Sequence, residues 1–115
     1  MIAIETLELV RIAKQAVEDK KGQDLAILDV RCLSNVTDYY LICSGSSAPH
    51  LKALAEMVEL TLKKEGQRVY RKAGTPDSGW MAADYVDMVV HIFSTEARDY
   101  YSLEQLWNDA PRVTV

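Results

Sequence analysis

Residues 39–65 are YYLICSGSSAPHLKALAEMVELTLKKE, and this stretch decides the fold class. Its first part, Tyr39–Cys43, is aromatic and aliphatic, as is typical of a strand. Pro49 follows a Gly-Ser step and suits the first position of a helix, where its missing N–H costs nothing, with Ser47 or Ala48 before it. Apolar residues then recur at helical spacing as far as Glu65, and Gly66 ends the helix. A strand that leads directly into an amphipathic helix indicates an α/β protein.

Further predicted elements flank this stretch on both sides. Apolar periodicity predicts a helix over Ile4–Lys21, which Gly22 closes in a left-handed conformation, and Leu25–Val30 indicates a short buried strand. After the central helix we predict three strands, the last two joined as a hairpin, and a short helix with a capping box at Ser102. The three strands are Gln67–Arg71, Trp80–Asp84 and Met88–Phe93, and an open loop at Ala73–Gly79 separates the first from the second. The helix carries Leu103, Leu106 and Trp107. The pattern predicts a single α/β domain over residues 1–115, with a mixed five-stranded sheet and flanking helices.

The composition places limits on the class of protein. The chain has 115 residues, 49% of them apolar, which is enough for one domain with its own core. Its apolar runs are only a few residues long, against the roughly 20 of a membrane-spanning helix. Because the N-terminus carries Glu5 and Glu8 and lacks the pattern of a secretory signal, we expect a cytoplasmic protein. Cys32 and Cys43 lie beside hydrophobic segments, and we expect both to be buried free thiols.

The net charge of −4 is unevenly distributed along the chain. Residues 1–73 hold 11 basic and 10 acidic side chains, whereas residues 74–115 hold 2 and 7. An acidic surface with no basic stripe argues against direct binding to a phosphate backbone, including that of DNA. It favours a basic protein as the partner.

The sequence offers little support for a metal or cofactor site. Four residues that could bind a metal are far apart in the sequence: Cys32, Cys43, His50 and His91. His91 lies within a predicted strand and shares a face with Val89 and Phe93, which predicts a packed, hydrogen-bonded imidazole. Asp84 and Asp87 are close in sequence, but their spacing across a turn is that of a hairpin rather than of paired ligands.

One segment keeps an enzymatic alternative open. The step Ser44-Gly45-Ser46-Ser47, between a strand and a helix, is similar to the first signature of the nucleotidyltransferase superfamily. Those enzymes hold two metal ions on an acidic-apolar-acidic triplet of the following strand. Here residues 55–60 are Ala-Glu-Met-Val-Glu-Leu, which is a helical pattern, so the triplet is absent. A metal-dependent nucleotidyltransferase, with Ser46 and Asp84 at its site, remains the alternative interpretation.

Several motifs occur in order along the chain and identify a family. In the second half they are Gly79-Trp80, Asp84-Tyr85-Val86-Asp87, Val90-His91-Ile92-Phe93, Arg98 and Tyr101-Ser102-Leu103-Glu104-Gln105-Leu106-Trp107. Upstream they are Lys21-Gly22-Gln23-Asp24, Leu28-Asp29-Val30, Thr37-Asp38-Tyr39-Tyr40 and Ile42-Cys43-Ser44-Gly45-Ser46-Ser47. With these motifs the sequence resembles the ribosomal silencing factor family, also called the Iojap or YbeB family, over essentially its whole length. The family usually has Glu-Gly before the loop where this chain has Ala73-Gly74, so any partner contact of that Glu would be lost here.

This resemblance implies a fold and a function. The fold is that of a nucleotidyltransferase without its metal carboxylates, and the protein is not an enzyme and needs no cofactor. Family proteins bind the large ribosomal subunit through its ribosomal protein fourteen and block joining of the small subunit by occupancy. They repress translation when nutrients are scarce, mitochondrial and plastid relatives act in ribosome assembly, and family members can form homodimers.

The candidate contact residues lie around the start of the predicted hairpin. Trp80 follows a Gly-flanked loop, where we expect an exposed aromatic anchor for the partner. The residues predicted to surround it are Met81, Asp84, Tyr85 and Asp87. An ordinary core role for Trp80 stays open, and Trp107 is assigned to the core. We expect five carboxylates to steer the domain electrostatically toward a basic protein surrounded by polyanionic RNA: Asp84, Asp87, Glu96, Asp99 and Glu104.

Overall fold

The computed structural model describes residues 6–33, 37–101, 105 and 108–114. In chain order its elements are α1 (Thr6–Asp19), β1 (Gln23–Asp29), β2 (Tyr39–Gly45), α2 (Ala48–Lys64), β3 (Arg71–Thr75), β4 (Trp80–Asp84), β5 (Met88–Ser94) and α3 (Thr95–Tyr101). The strands form one sheet in the order β1-β2-β5-β4-β3. Strands β2 and β5 are parallel and all other neighbours are antiparallel, which confirms the predicted mixed five-stranded sheet.

The sheet has two faces of different character, because successive side chains of a strand point to opposite sides. The covered face, formed by residues such as Leu41, Cys43, Val90 and Ile92, packs against α1 and α2 in the main core. The opposite face, here called the open face, carries Tyr40, Ile42, Trp80, Ala82, Asp84, Val89, His91 and Phe93. Part of it packs with Ala97 of α3 and with Ala110, in a smaller second cluster.

The two long helices form as their sequences predict. Helix α1 buries Leu9, Val10, Ala13, Ala16 and Val17. Helix α2 buries Leu51, Leu54, Val58 and Leu62. Ser47 is the N-cap of α2 and accepts a hydrogen bond from the His50 amide, while Pro49 occupies the first turn. No helix among the described residues combines the length and the apolar character needed to cross a bilayer.

The end of α1 differs from the prediction in one detail. The left-handed residue is Lys21, at φ 61°, and not Gly22. Gly22 is needed for another reason, because a Cβ atom there would lie 2.3 Å from Cγ1 of Val17. The glycine therefore permits a close approach of the chain to α1.

The third strand lies further along the chain than predicted. The sequence indicated Gln67–Arg71, but β3 is Arg71–Thr75, which begins at the last residue of the predicted strand and runs into the segment assigned to an open loop. Its pairing with β4 runs from Arg71 opposite Asp84 to Thr75 opposite Trp80. A short 3-10 turn at Pro76–Ser78, capped by Thr75 and followed by Gly79 at φ 81°, fixes this register. All five residues of β3 are exposed, so no alternation of apolar side chains marks the strand.

Two further predictions need correction or fall outside the described residues. Helix α3 was not predicted, and it begins where Ser94 Oγ accepts a hydrogen bond from the Ala97 amide. The predicted capping box at Ser102 and the helix residues Leu103, Leu106 and Trp107 lie outside the described residues.

Both cysteines are free as expected, but Cys32 is exposed, because it lies in the turn after β1 rather than within the strand. Cys43 is buried, and burial raises the pKa of its thiol to about 12.

Candidate functional site

The five predicted contact residues are divided between the two faces of the sheet. Trp80 and Asp84 lie on the open face. Met81 and Tyr85 point to the covered face, where Tyr85 is only 7% exposed and belongs to the main core. Asp87 is exposed in the turn between β4 and β5. The structure therefore places Trp80 and Asp84 on one face, at opposite ends of β4, and Met81 and Tyr85 on the other face.

Trp80 belongs to an aromatic cluster on the open face. Among the described residues, its members are Tyr40, Trp80, His91 and Phe93, contributed by three adjacent strands. The ring planes of Trp80, His91 and Phe93 are nearly parallel, at 9–14°, with centroids 6.0–6.1 Å apart. Tyr40 meets His91 edge-on at 5.2 Å. Trp80 is partly buried and packs against the second cluster of buried residues, which includes Phe93.

His91 is the polar centre of this cluster. Its Nδ1 accepts a hydrogen bond from Nε1 of Trp80 at 3.2 Å, which assigns the hydrogen of the neutral imidazole to Nε2. The side chain is 9% exposed, and burial lowers the pKa of His91 to about 4. The predicted packed and hydrogen-bonded imidazole is confirmed.

Asp84 has a structural task at the hairpin. Its Oδ1 accepts a hydrogen bond from the Val86 amide at 2.7 Å, and its Oδ2 lies 3.4 Å from a guanidinium nitrogen of Arg71. This bond supports Val86 in a left-handed conformation, at φ 73°, which is costly for a β-branched residue. The backbone carbonyl of Asp87 accepts hydrogen bonds from the amides of Asp38 and Tyr39. Asp84 and Asp87 therefore act in the turn, as their spacing predicted.

The helix N-terminus after the Gly-Ser step binds atoms of its own chain. The Ser46 amide donates to His50 Nδ1 at 2.9 Å, and the His50 amide donates to Ser47 Oγ at 3.2 Å. The Leu51 amide donates to the Ser47 carbonyl. These are donors that an anion cradle would offer to a phosphate. Among the described residues, no three His, Cys, Asp or Glu side chains are close enough to hold a metal ion. This arrangement does not favour the nucleotidyltransferase alternative.

A cavity lies on the other side of the sheet. It has a volume of about 470 Å³, is open to solvent, and lies between α2 and strands β3 and β4. Apolar residues such as Ala55, Met81 and Ile92 line it, and an ion pair between Lys72 and Glu59, 3.1 Å long, stands at its side. The charged residues Lys52, Glu56, Glu59 and Lys72 also line it, so its wall is apolar in one part and charged in another.

Sequence reasoning missed two members of the aromatic cluster, Tyr40 and Phe93, as site residues. The available signal was their alternation with buried aliphatic residues, which puts Phe93 and His91 on the same face of β5. The contact between His91 and Trp80 was not visible, because it depends on the register that pairs Trp80 with Phe93. In contrast, the separation of Met81 from Trp80 follows from the two-residue period of a strand alone.

Fold and site together define a small α/β protein with an aromatic cluster on one face of its sheet and, within the described residues, no group of side chains that could hold a metal ion. The chain belongs to the ribosomal silencing factor family. The family model described as "Ribosomal silencing factor during starvation" matches residues 3–115.

Individual relatives agree with this assignment. A protein of Bacillus subtilis named ribosomal silencing factor RsfS is 38% identical over 103 residues, covering 90% of this chain and 87% of that protein. Its namesake in Halalkalibacterium halodurans is 37% identical and covers 92% and 91%. A mouse protein named mitochondrial assembly of ribosomal large subunit protein 1 is 30% identical over 79% of this chain and 41% of its own length.

Solved structures show the same fold. A crystal structure of a Chromobacterium violaceum protein superposes with a TM-score of 0.88 at 34% identity, covering 91% of this chain and 88% of that one. A crystal structure from Bacillus halodurans gives a TM-score of 0.83 at 34% identity, with coverage of 95% and 99%.

Proposed function

We propose that this protein binds the large ribosomal subunit through its ribosomal protein fourteen and sterically blocks association with the small subunit. The observation that carries the proposal is the aromatic cluster around Trp80, on the open face of a chain that belongs to the ribosomal silencing factor family. The name of the mouse relative, which refers to the large ribosomal subunit, supports the choice of subunit. In this function the protein acts by occupancy and not as an enzyme.

Charge supports a protein partner within the ribosome. Residues 74–115 carry seven acidic and two basic side chains, and Asp77, Asp87, Glu96 and Asp99 are exposed. Ribosomal RNA is a polyanion, so it repels this part of the domain, whereas a basic protein surface attracts it. The charge therefore directs the domain toward a ribosomal protein rather than toward RNA.

The aromatic cluster supports the affinity of the same contact. Buried Trp and Tyr side chains at the centre of an interface commonly contribute about 2 kcal/mol or more to binding. Trp80 suits this role because Phe93 and His91 hold its ring in one orientation before the partner arrives. Asp84 lies on the same face at the far end of β4 and contributes a negative charge there, next to Arg71.

The remaining parts of the proposal concern regulation and assembly state. Repression of translation under nutrient limitation, in the cytoplasm, follows from the resemblance of the sequence to its family. A homodimer is compatible with β3, whose outer edge is not paired with another described strand. The contact residues Met81, Tyr85 and Asp87 would act with Trp80 and Asp84, although Met81 and Tyr85 reach the partner only from the covered side.

A subunit-joining experiment tests the proposal. Purified large subunits are mixed with saturating protein, small subunits are added, and whole ribosomes are measured by sedimentation. We expect wild-type protein to reduce joining, Trp80→Ala to restore it, and Leu60→Ala to act as wild type. Leu60 is a matched control because it is apolar, 51% exposed and on α2, away from the open face. Normal formation of whole ribosomes in the presence of wild-type protein would contradict the proposal.

A further inference from the structure

We infer that residues 63–72, here called the basic segment, make a second contact with the large ribosomal subunit, to the phosphate backbone of its RNA. The segment contains the last two residues of α2, the connection that follows and the first two residues of β3. This inference rests on the proposed function, because it concerns how the same protein is held on the same subunit. The acidic residues 74–115 meet a ribosomal protein, and the basic segment meets RNA beside that protein.

The near-neutral balance of residues 1–73 conceals an uneven distribution of charge. The basic segment holds five basic side chains and one acidic one, whereas the other residues of that stretch hold six and nine. The five basic residues are all exposed: Lys63, Lys64, Arg68, Arg71 and Lys72. Lys63 and Lys64 also complement the negative end of the α2 dipole, but Arg68 lies beyond the helix. The positive charge of the segment therefore exceeds what the end of the helix explains.

Two of these cations lie at one place on the surface. Lys63 and Arg68 both line a hollow of about 420 Å³, open to solvent, between the last turns of α2 and the connection to β3. They make no side-chain hydrogen bond or ion pair with any residue that the structure describes. The two acidic residues of the hollow each have a lysine partner: Lys52–Glu56 at 3.9 Å and Lys72–Glu59 at 3.1 Å. The hollow therefore has two uncompensated positive charges.

The backbone that carries Arg68 is fixed at both ends. On one side the Gln67 amide donates to the Leu62 carbonyl at 2.9 Å. On the other side the Tyr70 amide donates to the Asp84 carbonyl at 2.8 Å. A cation on such a short, anchored connection loses less conformational freedom when it binds. The planar guanidinium of arginine matches the oxygens of a phosphate, and the ammonium group of a lysine adds a point charge.

Tyr70 favours RNA over an acidic protein as the partner of this segment. Its side chain is 66% exposed, and the guanidinium carbon of Arg71 lies 5.4 Å from the centroid of its ring. Unpaired bases of RNA stack on aromatic rings and on arginine planes, so an exposed aromatic among cations is typical of an RNA-binding surface. An acidic protein surface would require the cations alone. The segment therefore suits RNA whose phosphates lie at the hollow and whose bases lie near Tyr70.

The contact is tested with the full-length protein by co-sedimentation with purified large subunits over a range of salt concentrations. Lys63→Gln combined with Arg68→Gln removes the two unpaired charges. We expect this double variant to bind about tenfold more weakly at low salt. The slope of log affinity against log salt should fall by about 1.5, since each phosphate contact contributes roughly 0.7–0.9 to it.

A matched control separates the location of the charges from their number. Arg11→Gln combined with Arg31→Gln changes the net charge equally, at two exposed arginines that are paired with Glu8 and Asp29. This control should bind as wild type. Wild-type affinity and salt slope in the double variant of Lys63 and Arg68 would overturn the contact and leave the proposed function intact. Equal losses in both double variants would also overturn it, because net charge alone would then explain them.

The chemistry of the partner is tested by hydroxyl-radical footprinting of the RNA in the same complexes. We expect wild type and the control to protect riboses that stay reactive under the double variant of Lys63 and Arg68, at concentrations that saturate the subunit. Tyr70→Ala should bind about threefold more weakly, and Tyr70→Phe as wild type. Weaker binding without any ribose that depends on Lys63 and Arg68 would indicate an acidic protein and overturn the RNA contact. Absence of wild-type binding would overturn the proposed function together with this inference.

Discussion

The covered and open faces of the sheet come from the same strands and differ in almost every other respect. On the covered face, aliphatic side chains such as Leu41 and Val90 are fully buried under two amphipathic helices. On the open face, aromatic rings lie beside buried aliphatic side chains such as Ile42, and Trp80 is partly buried. The difference teaches that the covered face carries the main core, whereas the open face carries a smaller core and the proposed contact with the partner. Substitutions on the two faces should therefore have different consequences.

The largest effect is expected on the covered face. Leu54 of α2 is fully buried, and Leu54→Ala removes apolar burial and leaves a cavity. We expect the free energy of unfolding to fall by roughly 2–5 kcal/mol. Leu60→Ala, at an exposed position of the same helix, should change it by less than about 0.5 kcal/mol. Urea denaturation of the two variants measures the difference, and equal losses would remove the distinction between the faces.

The second-largest effect on the free energy of unfolding is expected from acidification, which acts on His91 of the open face. The pKa of His91 is about 4 in the folded protein, against an ordinary value of 6.5. Between these two pH values the unfolded chain binds more protons at His91 than the folded protein does. The contribution of neutral His91 to the free energy of unfolding is therefore complete above pH 6.5 and is lost as the pH falls toward 4. The full loss is about 3 kcal/mol. The groups that face His91 are Tyr40 and Trp80, and Asp84 is the charged group nearby on that face.

The contribution of His91 is isolated by a difference between two proteins. Other carboxylates also titrate in this range, but they titrate equally in wild type and in His91→Asn. Denaturation curves at pH 7, 5.5 and 4 should show a steeper loss for wild type than for the variant. Parallel pH profiles would show that His91 does not govern the acid sensitivity of this face.

For Trp80 the comparison predicts an effect on binding that exceeds the effect on stability. Trp80→Ala should weaken binding to large subunits by about 2 kcal/mol, or roughly 30-fold. Because the indole is only partly buried, the free energy of unfolding should fall by less than the binding energy. Sedimentation titration and urea denaturation of the same preparation give both numbers. A larger loss in stability than in binding would make Trp80 a core residue.

The smallest effect is expected from Tyr85, and it should be a gain. The hydroxyl of Tyr85 is buried and has no hydrogen-bond partner among the described residues, and burial raises its pKa to about 12. Tyr85→Phe removes the unpaired group and keeps the ring, so stability should rise by about 1 kcal/mol. Tyr70→Phe, where the ring is 66% exposed, is the control and should change little. A loss of stability in Tyr85→Phe would reveal a partner for the hydroxyl.

Much of the fold could be predicted where sequence and environment agree. Helix α2 and the hairpin of β4 and β5 follow from strong local signals, including the Ser47 cap, Pro49 and two apolar strands. Strand β3 was misplaced because an exposed edge strand has no apolar alternation to detect. Helix α3 is short and polar, and it is anchored by Arg98, which donates to the Asp24 carbonyl and to Ser44 Oγ.

The candidate site was predictable in part. Trp80 and a packed His91 could be identified individually, since one follows a glycine loop and the other lies inside an apolar strand. Their mutual hydrogen bond joins residues 11 positions apart and depends on the strand register, which a single sequence does not reveal. Tyr85 was grouped with Trp80 by proximity in sequence, although an odd separation along a strand puts it on the other face.

His50 has a consequence for how the domain fluctuates. Its Nδ1 accepts the Ser46 amide at the start of α2, while its Nε2 contacts the Lys20 carbonyl, at 2.8 Å, just beyond the end of α1. One side chain thus closes the termini of two helices that are 30 residues apart. If the end of α1 or the start of α2 unfolds locally, His50 loses the contact that joins the two. We therefore expect the two helices to open as one cooperative unit, while the strands beneath them stay paired.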